Sequence, residues 1–157
     1  MEDLNIREFL EDDAIATAQI FFDAVRFGTT EYYDERQRKA WAEKVPDTDD
    51  WYKKLQSQYS LVAQLDTAPV GFMTLDDNGH IDLAFVTPDL IGKGVARALY
   101  EKIESEALRL GIRRLDTEAS YLARRFFERQ GWSVVRQQSV QKGDVSLTNF
   151  VMEKRFG

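Results

Sequence analysis

Apolar side chains along this chain change their spacing repeatedly, and each change marks a boundary between elements. Residues 5–9 alternate as an opening strand does. Asp12 and Asp13 can cap a following helix, whose broad apolar face of Ile15, Ala18, Ile20, Phe21, Phe22 and Val25 runs to about Arg26. Gly28 breaks that pattern and leaves residues 27–33 as a loop bearing Tyr32 and Tyr33. Asp34 restarts a helix through about Lys44, Val45-Pro46 stops it, and Asp49 or Asp50 can cap a short helix over residues 51–55. Residues 60–65 and 69–75 read as strands joined by an Asp66-Thr67-Ala68 hairpin connection. Asp76-Asp77-Asn78-Gly79 then makes a second turn, with Asn-Gly the strong signal.

The stretch from His80 to Leu110 is the centre of the pattern. Ile81, Leu83, Ala84, Phe85 and Val86 form a nearly continuous apolar run closed by Thr87-Pro88, as expected of a strand buried on both faces. From Gly92 the period turns helical. Val95, Leu99, Ile103 and Leu110 share one stripe, with Ala98 and Ala107 beside it, while Glu101, Lys102, Glu104 and Arg109 face out. The helix is therefore expected to begin near Gly92, and Gly111 ends it. Residues 113–118 suit a strand that, returning after a helical crossover, should lie parallel to the one at Ile81. Residues 122–130 read as a helix with Leu122, Phe126 and Phe127 inward. Residues 132–140 and 145–154 complete the chain as strands around Lys142-Gly143-Asp144. The predicted order is β-α-α-β-β-β-α-β-α-β-β, an α/β (α+β) class with a mixed, mostly antiparallel sheet of about seven strands.

Composition narrows the chemistry. At 157 residues the chain is expected to form one domain over residues 1–157. The absence of cysteine excludes disulfides, thiolate metal sites and a cysteine nucleophile, and a single histidine excludes a histidine-rich metal site. The acidic start MEDLNIREF has no apolar signal core, and no run of ~18 apolar residues is present to span a bilayer, so a soluble cytoplasmic protein is expected. A net charge of −6 argues against nucleic acid. It suits a cationic small molecule, or serves only solubility.

Candidate chemistry concentrates on the central unit. A helix N-terminus leaves about four N–H groups without intrahelical partners and carries roughly half a positive charge. Gly92, Gly94 and Ala96 keep that end uncluttered, and Lys93 and Arg97 add positive charge, so it can cradle phosphate. The alternative is that the glycines merely make a tight turn. Asp82, Asp116 and Glu118 place carboxylates inside central strands, where they are costly unless paired or used. A period of two would put Asp82, Ala84 and Val86 on one face. His80 is either a base or an exposed turn residue. Tyr32, Tyr33, Trp41, Trp51 and Tyr52 line a pocket or anchor two short helices on the sheet.

The element order and the central residues resemble the GNAT superfamily of acetyl-CoA-dependent acetyltransferases, over nearly the whole chain. The family signature Q/R-x-x-G-x-G/A falls on Ile91-Gly92-Lys93-Gly94-Val95-Ala96, after the common Val-x-Pro at Val86-Thr87-Pro88, with Ile91 in place of Gln or Arg. The second landmark, N-x-x-A-x-x-F-Y-x-x-x-G-F, falls on residues 120–132. Ser120 there replaces the asparagine that typically bonds the cofactor, and Phe127 replaces the tyrosine that in many relatives protonates the departing thiolate. Tyr33, Ala40-Trp41, Phe126 to Arg129 and Thr148 to Phe150 also look like a narrower bacterial branch of acetyltransferases.

The resemblance implies a splayed parallel strand pair near Val86 and Glu118, with the pantetheine arm of acetyl-CoA in the gap. Free N–H groups near Phe85 and Val86 would hold that arm and polarise the thioester. The turn from Ile91 through Gly92, Lys93, Gly94, Val95 and Ala96 to Arg97 would take the pyrophosphate, and Ser120, Ala123 and Phe126 would complete the cofactor side. Arg124 or Arg125 would reach the 3′-phosphate or form a solvated face. The implied reaction is direct transfer of acetyl to a primary amine of a small molecule or peptide, by a monomer or homodimer. Its proton would go to Glu118, nearest the splay, or to Asp82. Tyr33 would help form the acceptor pocket, and the leaving thiolate would take its proton from water or from a hydroxyl such as that of Tyr121, Tyr33 or Ser120. A non-catalytic acyl-CoA-binding module on the same fold is the competing reading.

Overall fold

The computed structural model describes residues 3–157; residues 1 and 2 of the domain expected over the full chain lie outside the described residues. Strand β1 (Leu4–Glu8) leads through a single 3-10 turn into α1 (Ala14–Gly28). The helix expected from Asp34 through about Lys44 forms as the shorter α2 (Glu35–Trp41), capped by Asp34: its carboxylate accepts from Gln37 N at 2.8 Å, and Gln37 Oε1 accepts from Asp34 N at 2.9 Å. Helix α3 (Thr48–Gln56) begins earlier than expected, because Asp47, not Asp49 or Asp50, is its cap and accepts from Asp50 N at 3.1 Å. Three helices, as the residue patterns predict and one more than the predicted element order shows, separate β1 from β2 (Tyr59–Leu65) and its hairpin partner β3 (Ala68–Leu75).

The apolar run after Asn78-Gly79 is not one strand. It divides into β4 (His80–Ile81) and β5 (Ala84–Val86), with Asp82-Leu83 as a bulge between them. Thr74 of β3 holds both backbone groups of Leu83, its N donating to the Leu83 carbonyl at 2.9 Å and its Oγ1 accepting from Leu83 N at 3.1 Å. After Thr87-Pro88 come α4 (Val95–Arg109), β6 (Arg114–Ala119), α5 (Tyr121–Arg129), β7 (Ser133–Lys142) and β8 (Val145–Arg155). Helix α4 starts three residues after Gly92, since Gly92 and Gly94 adopt φ of 81° and 95° and cannot lie within it.

The strand break splits the sheet. Strands β1, β2, β3 and β5 form an antiparallel ladder in that order, and β4, β6, β8 and β7 form a second. Strands β4 and β6 are the expected parallel pair, with His80 opposite Asp116 and Ile81 opposite Thr117. The two ladders join along the bulged line and part beyond it, so β5 leaves β6 for β3. Ile81 and Val86 pack with Leu99, Ile103 and Leu115 on the α4 side. Leu83 and Phe72 pack with Ala18, Trp51 and Leu55 under α1 and α3. The bulge thus corrects the period-two reading: Ala84 and Val86 face α4, while Asp82 shares the α1 side with Leu83 and Phe85.

Candidate functional site

Two hollows meet where β5 departs from β6. The larger, about 650 Å³, runs between the α4 N-terminus and α5. Thr87 N donates to Val70 O at 2.8 Å and Thr74 N to Leu83 O at 2.9 Å. By the alternation of an antiparallel ladder, Phe85 N–H also points to β3, and the N–H groups of Ala84 and Val86 point into the gap. Of the two amides expected there, Val86 has the required direction. Phe85 contributes its ring, which lines both hollows.

The turn before α4 supplies the other end. Lys93 N donates to Leu90 O at 3.1 Å, and Ala98 N to Gly94 O at 3.1 Å, so the amides of Gly94 through Arg97 precede the helix's i−4 ladder. A Cβ built on Gly92 or Gly94 meets nothing within 4 Å, which leaves the main chain open to a bulky anion. Ile91, Gly92, Gly94, Ala96 and Arg97 line the cleft. Two neighbours do not: the Val95 side chain is buried against Gly71, and Lys93 is exposed outside the lining.

Ser120, Ala123 and Phe126 form the opposite wall. Ser120 caps α5, its Oγ accepting from Ala123 N at 3.1 Å, which leaves the hydroxyl hydrogen for another partner. Arg125 lines the cleft and donates to Tyr32 Oη at 2.9 Å. Arg124 instead lies over the Phe150 ring at 4.5 Å and pairs with Glu128. Arg129 also lines the cleft, a cation that the motifs did not single out. Phe127 is buried against Trp132, their ring centroids 4.6 Å apart. An elongated phosphate-bearing cofactor fits these residues: open amides and cations at one end, an apolar lining and strand-edge N–H groups at the other.

The smaller hollow, about 280 Å³, opens on the α1 side of the break and shares Phe85, Ser120 and Trp41 with the first. His80, Asp82 and Glu118 face into it. Asp82 Oδ2 accepts from Gln58 Nε2 at 3.1 Å and lies 3.7 Å from Lys54 Nζ. Glu118 Oε2 accepts from Gln138 Nε2 at 2.9 Å. Asp116 is engaged elsewhere, with Oδ1 at 2.6 Å from His80 Nδ1 and Oδ2 at 2.6 Å from Arg114. The contact between His80 and Asp116 is a site feature that the chain pattern does not announce, because their pairing depends on strand register.

Tyr33 lines the smaller hollow but is buried, its hydroxyl donating to Thr148 O at 2.7 Å and accepting from Tyr121 N at 3.2 Å. Burial pushes its pKa up against the opposing hydrogen bond from Tyr121. A proton held in this way is poorly placed for a leaving thiolate, and the hydroxyl acts as a tether. Among the described residues no group of three or more His, Asp or Glu gathers to hold a metal, and no helix is long and apolar enough to cross a membrane.

A splayed sheet with a glycine-turned helix N-terminus on one side of the split and a second hollow on the other is the architecture of the GNAT class. Comparison with known proteins agrees. Residues 29–154 match the family described as "Acetyltransferase (GNAT) domain". The uncharacterized N-acetyltransferase YafP of Escherichia coli (strain K12) is 35% identical over 155 residues, 97% of this chain and 96% of that protein. The crystal structure of a GCN5-related N-acetyltransferase from Rhodopseudomonas palustris superposes with a TM-score of 0.91 at 33% identity, covering 97% of this chain and 95% of that one. The structure of yncA from Salmonella typhimurium with its cofactor acetyl-CoA shares the fold, with a TM-score of 0.76 at 22% identity over 98% of this chain and 94% of that one. The chain belongs to the GNAT acetyltransferase family.

Proposed function

We propose that this protein, acting as one domain over residues 1–157, transfers acetyl from acetyl-CoA to a primary amine by direct attack. The observation that supports this reading is the meeting of the two hollows at Phe85 and Ser120, one lined by a phosphate-cradling turn and the other by carboxylates. Acetyl-CoA supplies the activated acyl thioester. The amides of Gly94 through Arg97 hold its anionic end, with Arg97, Arg125 and Arg129 adding charge. The inward N–H groups of Ala84 and Val86 are donors for an oxygen that gains negative charge. Asp82 and Glu118 draw an ammonium group to the smaller hollow. An acceptor amine is protonated at neutral pH and must lose a proton before it attacks, so this face also needs a base.

The acceptor is a small molecule or a peptide end, since a space of about 280 Å³ admits an amine-bearing chain rather than a folded surface. A panel of amino acids, polyamines, peptides and amino sugars, read by free thiol and by acetyl mass gain on the amine, tests the reading. Amine-dependent thiol release is the expected result. Acetyl-CoA binding without it across the panel would favour a non-catalytic binding module, for which the absent hydroxyl at Phe127 is the motivating feature.

A further inference from the structure

We propose that His80, held by Asp116, is the base that takes the proton of the acceptor amine. This inference rests on the acetyltransfer reading above and names the group that makes it work. Parallel register sets His80 of β4 directly opposite Asp116 of β6. An ionised carboxylate only accepts, so the 2.6 Å contact makes Nδ1 the donor in the neutral ring and leaves the Nε2 lone pair free. No hydrogen bond to Nε2 is present among the described residues, and the half-buried ring lines the acceptor hollow beside Asp82 and Glu118.

Each component of this pair is fixed from behind. Arg114 bonds the second oxygen of Asp116 at 2.6 Å and Glu153 of β8 at 2.8 Å. Asp76 Oδ1 accepts from His80 N at 2.9 Å, and Gly79 O accepts from Asp116 N at 3.0 Å. Gly79 adopts φ of 87°, and a Cβ there would lie 2.5 Å from the Arg114 carbonyl. The Asn78-Gly79 turn is thus required for close approach as well as for chain reversal. A base needs this kind of fixed geometry more than a surface histidine does.

The two carboxylates of the hollow are less suited to the task. Asp82 has Gln58 and Lys54 as partners, and Glu118 has Gln138, so an oxygen of each is already engaged, whereas Nε2 of His80 is not. Other charged groups facing the region are Arg114 on β6, Glu153 on β8, Lys142 at the end of β7 and Asp76 in the turn. Asp82 and Glu118 fit the role of holding the ammonium while His80 deprotonates it.

An ammonium R–NH3⁺ gives one proton to Nε2, and the resulting imidazolium is ion-paired with Asp116. The freed nitrogen lone pair forms the C–N bond as the C–S bond breaks. Of the two protons left on nitrogen, one stays on the amide and the other ends on the departing sulfur, giving a thiol. The imidazolium then returns its proton to water.

The test uses full-length wild type, His80→Gln, Asp116→Asn, Glu118→Gln and Asp82→Asn with the amine that gives the greatest thiol release. His80→Gln should lower kcat/KM about 10²–10⁴-fold and abolish the acid limb of its pH profile, while acetyl-CoA affinity and Tm stay near wild type. Asp116 is a positioning residue, so Asp116→Asn should lower kcat and move the acid limb without raising KM for acetyl-CoA. Glu118→Gln and Asp82→Asn should mainly raise KM for the amine and keep the limb. Wild-type turnover with an intact acid limb in His80→Gln would overturn the assignment, as would loss of the limb in either carboxylate variant alone. Failure of wild type to release thiol with any amine would instead remove the acetyltransfer reading, and the base with it.

Discussion

The Tyr33 hydroxyl donates to the Thr148 carbonyl at 2.7 Å and bridges positions 115 residues apart. Its oxygen also accepts from the amide of Tyr121, the first residue of α5. One side chain therefore ties the loop after α1 to β8 and to the helix that walls the larger hollow. Tyr33→Phe removes both bonds and leaves two polar backbone groups facing a buried ring, at a cost of about 1–3 kcal/mol. Thermal melts should show a clear fall in Tm, with kcat changed only modestly. Loss of turnover at unchanged Tm would return the hydroxyl to the chemistry.

Much of the fold was legible because its signals are local. The Val95, Leu99 and Ile103 stripe of α4, the Asn78-Gly79 turn, the helix start at Asp34 and the hairpins each depend on residues within a few positions, whereas Leu110, expected on the same stripe, lies beyond α4 and is exposed. The division of β4 from β5 was not legible. Leu83 continues the apolar run, and only Thr74, reaching it from β3, shows that the backbone there is bulged. That one break reverses which side Asp82 faces and selects Val86 over Phe85 as an inward amide donor. The candidate site divides in the same way. The glycine turn before α4 is contiguous in sequence and its conformation could be read, whereas the His80–Asp116 contact joins strands on either side of α4 and follows from register.

Open space at the α4 N-terminus gives a variant that separates ligand binding from stability. Ala96 lines the cleft in the first turn of α4. Glutamate there adds negative charge where the helix dipole favours it, so Tm of the free protein should hold or rise slightly. The same charge repels an incoming phosphate. Ala96→Glu should therefore raise the Kd for coenzyme A at least about tenfold, roughly 1.4 kcal/mol, as read by calorimetry. Gly94→Pro is less informative, since the φ of 95° at Gly94 excludes proline from the native turn whatever the ligand does. Ile91→Gln should bind coenzyme A within about threefold of wild type, because in the proposed site the amides of Gly94 through Arg97, not a side chain at 91, hold the phosphate. Unchanged affinity in Ala96→Glu would move the phosphate site elsewhere.

An ion pair at the start of α1 sets an acid limit on stability. Arg7 of β1 makes two bonds to Asp13, at 2.7 and 2.8 Å, and the same carboxylate accepts from Leu10 N. Burial works to raise the Asp13 pKa, but the hydrogen bonds from Arg7 and Leu10 and the charge of Arg7 outweigh it, and the net shift is downward. The unfolded chain therefore binds this proton more readily. Stability from the pair is present above the ordinary carboxylate value and is lost as pH falls through the lower folded value. Asp13→Asn should destabilise by about 2–3 kcal/mol at neutral pH. The gap in Tm should narrow as pH drops below about 4. A constant gap would show that packing, not charge, is what Asp13 contributes.

The opposite limit lies at alkaline pH. Tyr100 of α4 is buried, accepts from Trp132 Nε1 at 2.9 Å and donates to Glu104, which Lys154 approaches at 3.1 Å. Burial first, and then the bond to Glu104, push its pKa well above the ordinary 10. The folded protein keeps this proton where the unfolded chain releases it. The contribution is therefore complete below about pH 10 and is lost as pH rises through the folded value. Tyr33, raised by burial in the same direction, adds to the effect. Tyr100→Phe should be less stable than wild type at pH 8 by about 1–2 kcal/mol, since the Trp132 N–H loses its acceptor. Its urea midpoint should then fall less steeply between pH 9 and 11, so that the two curves converge. Parallel curves would mean that Tyr100 ionises alike in both states, and that the Glu104 bond does not hold its proton.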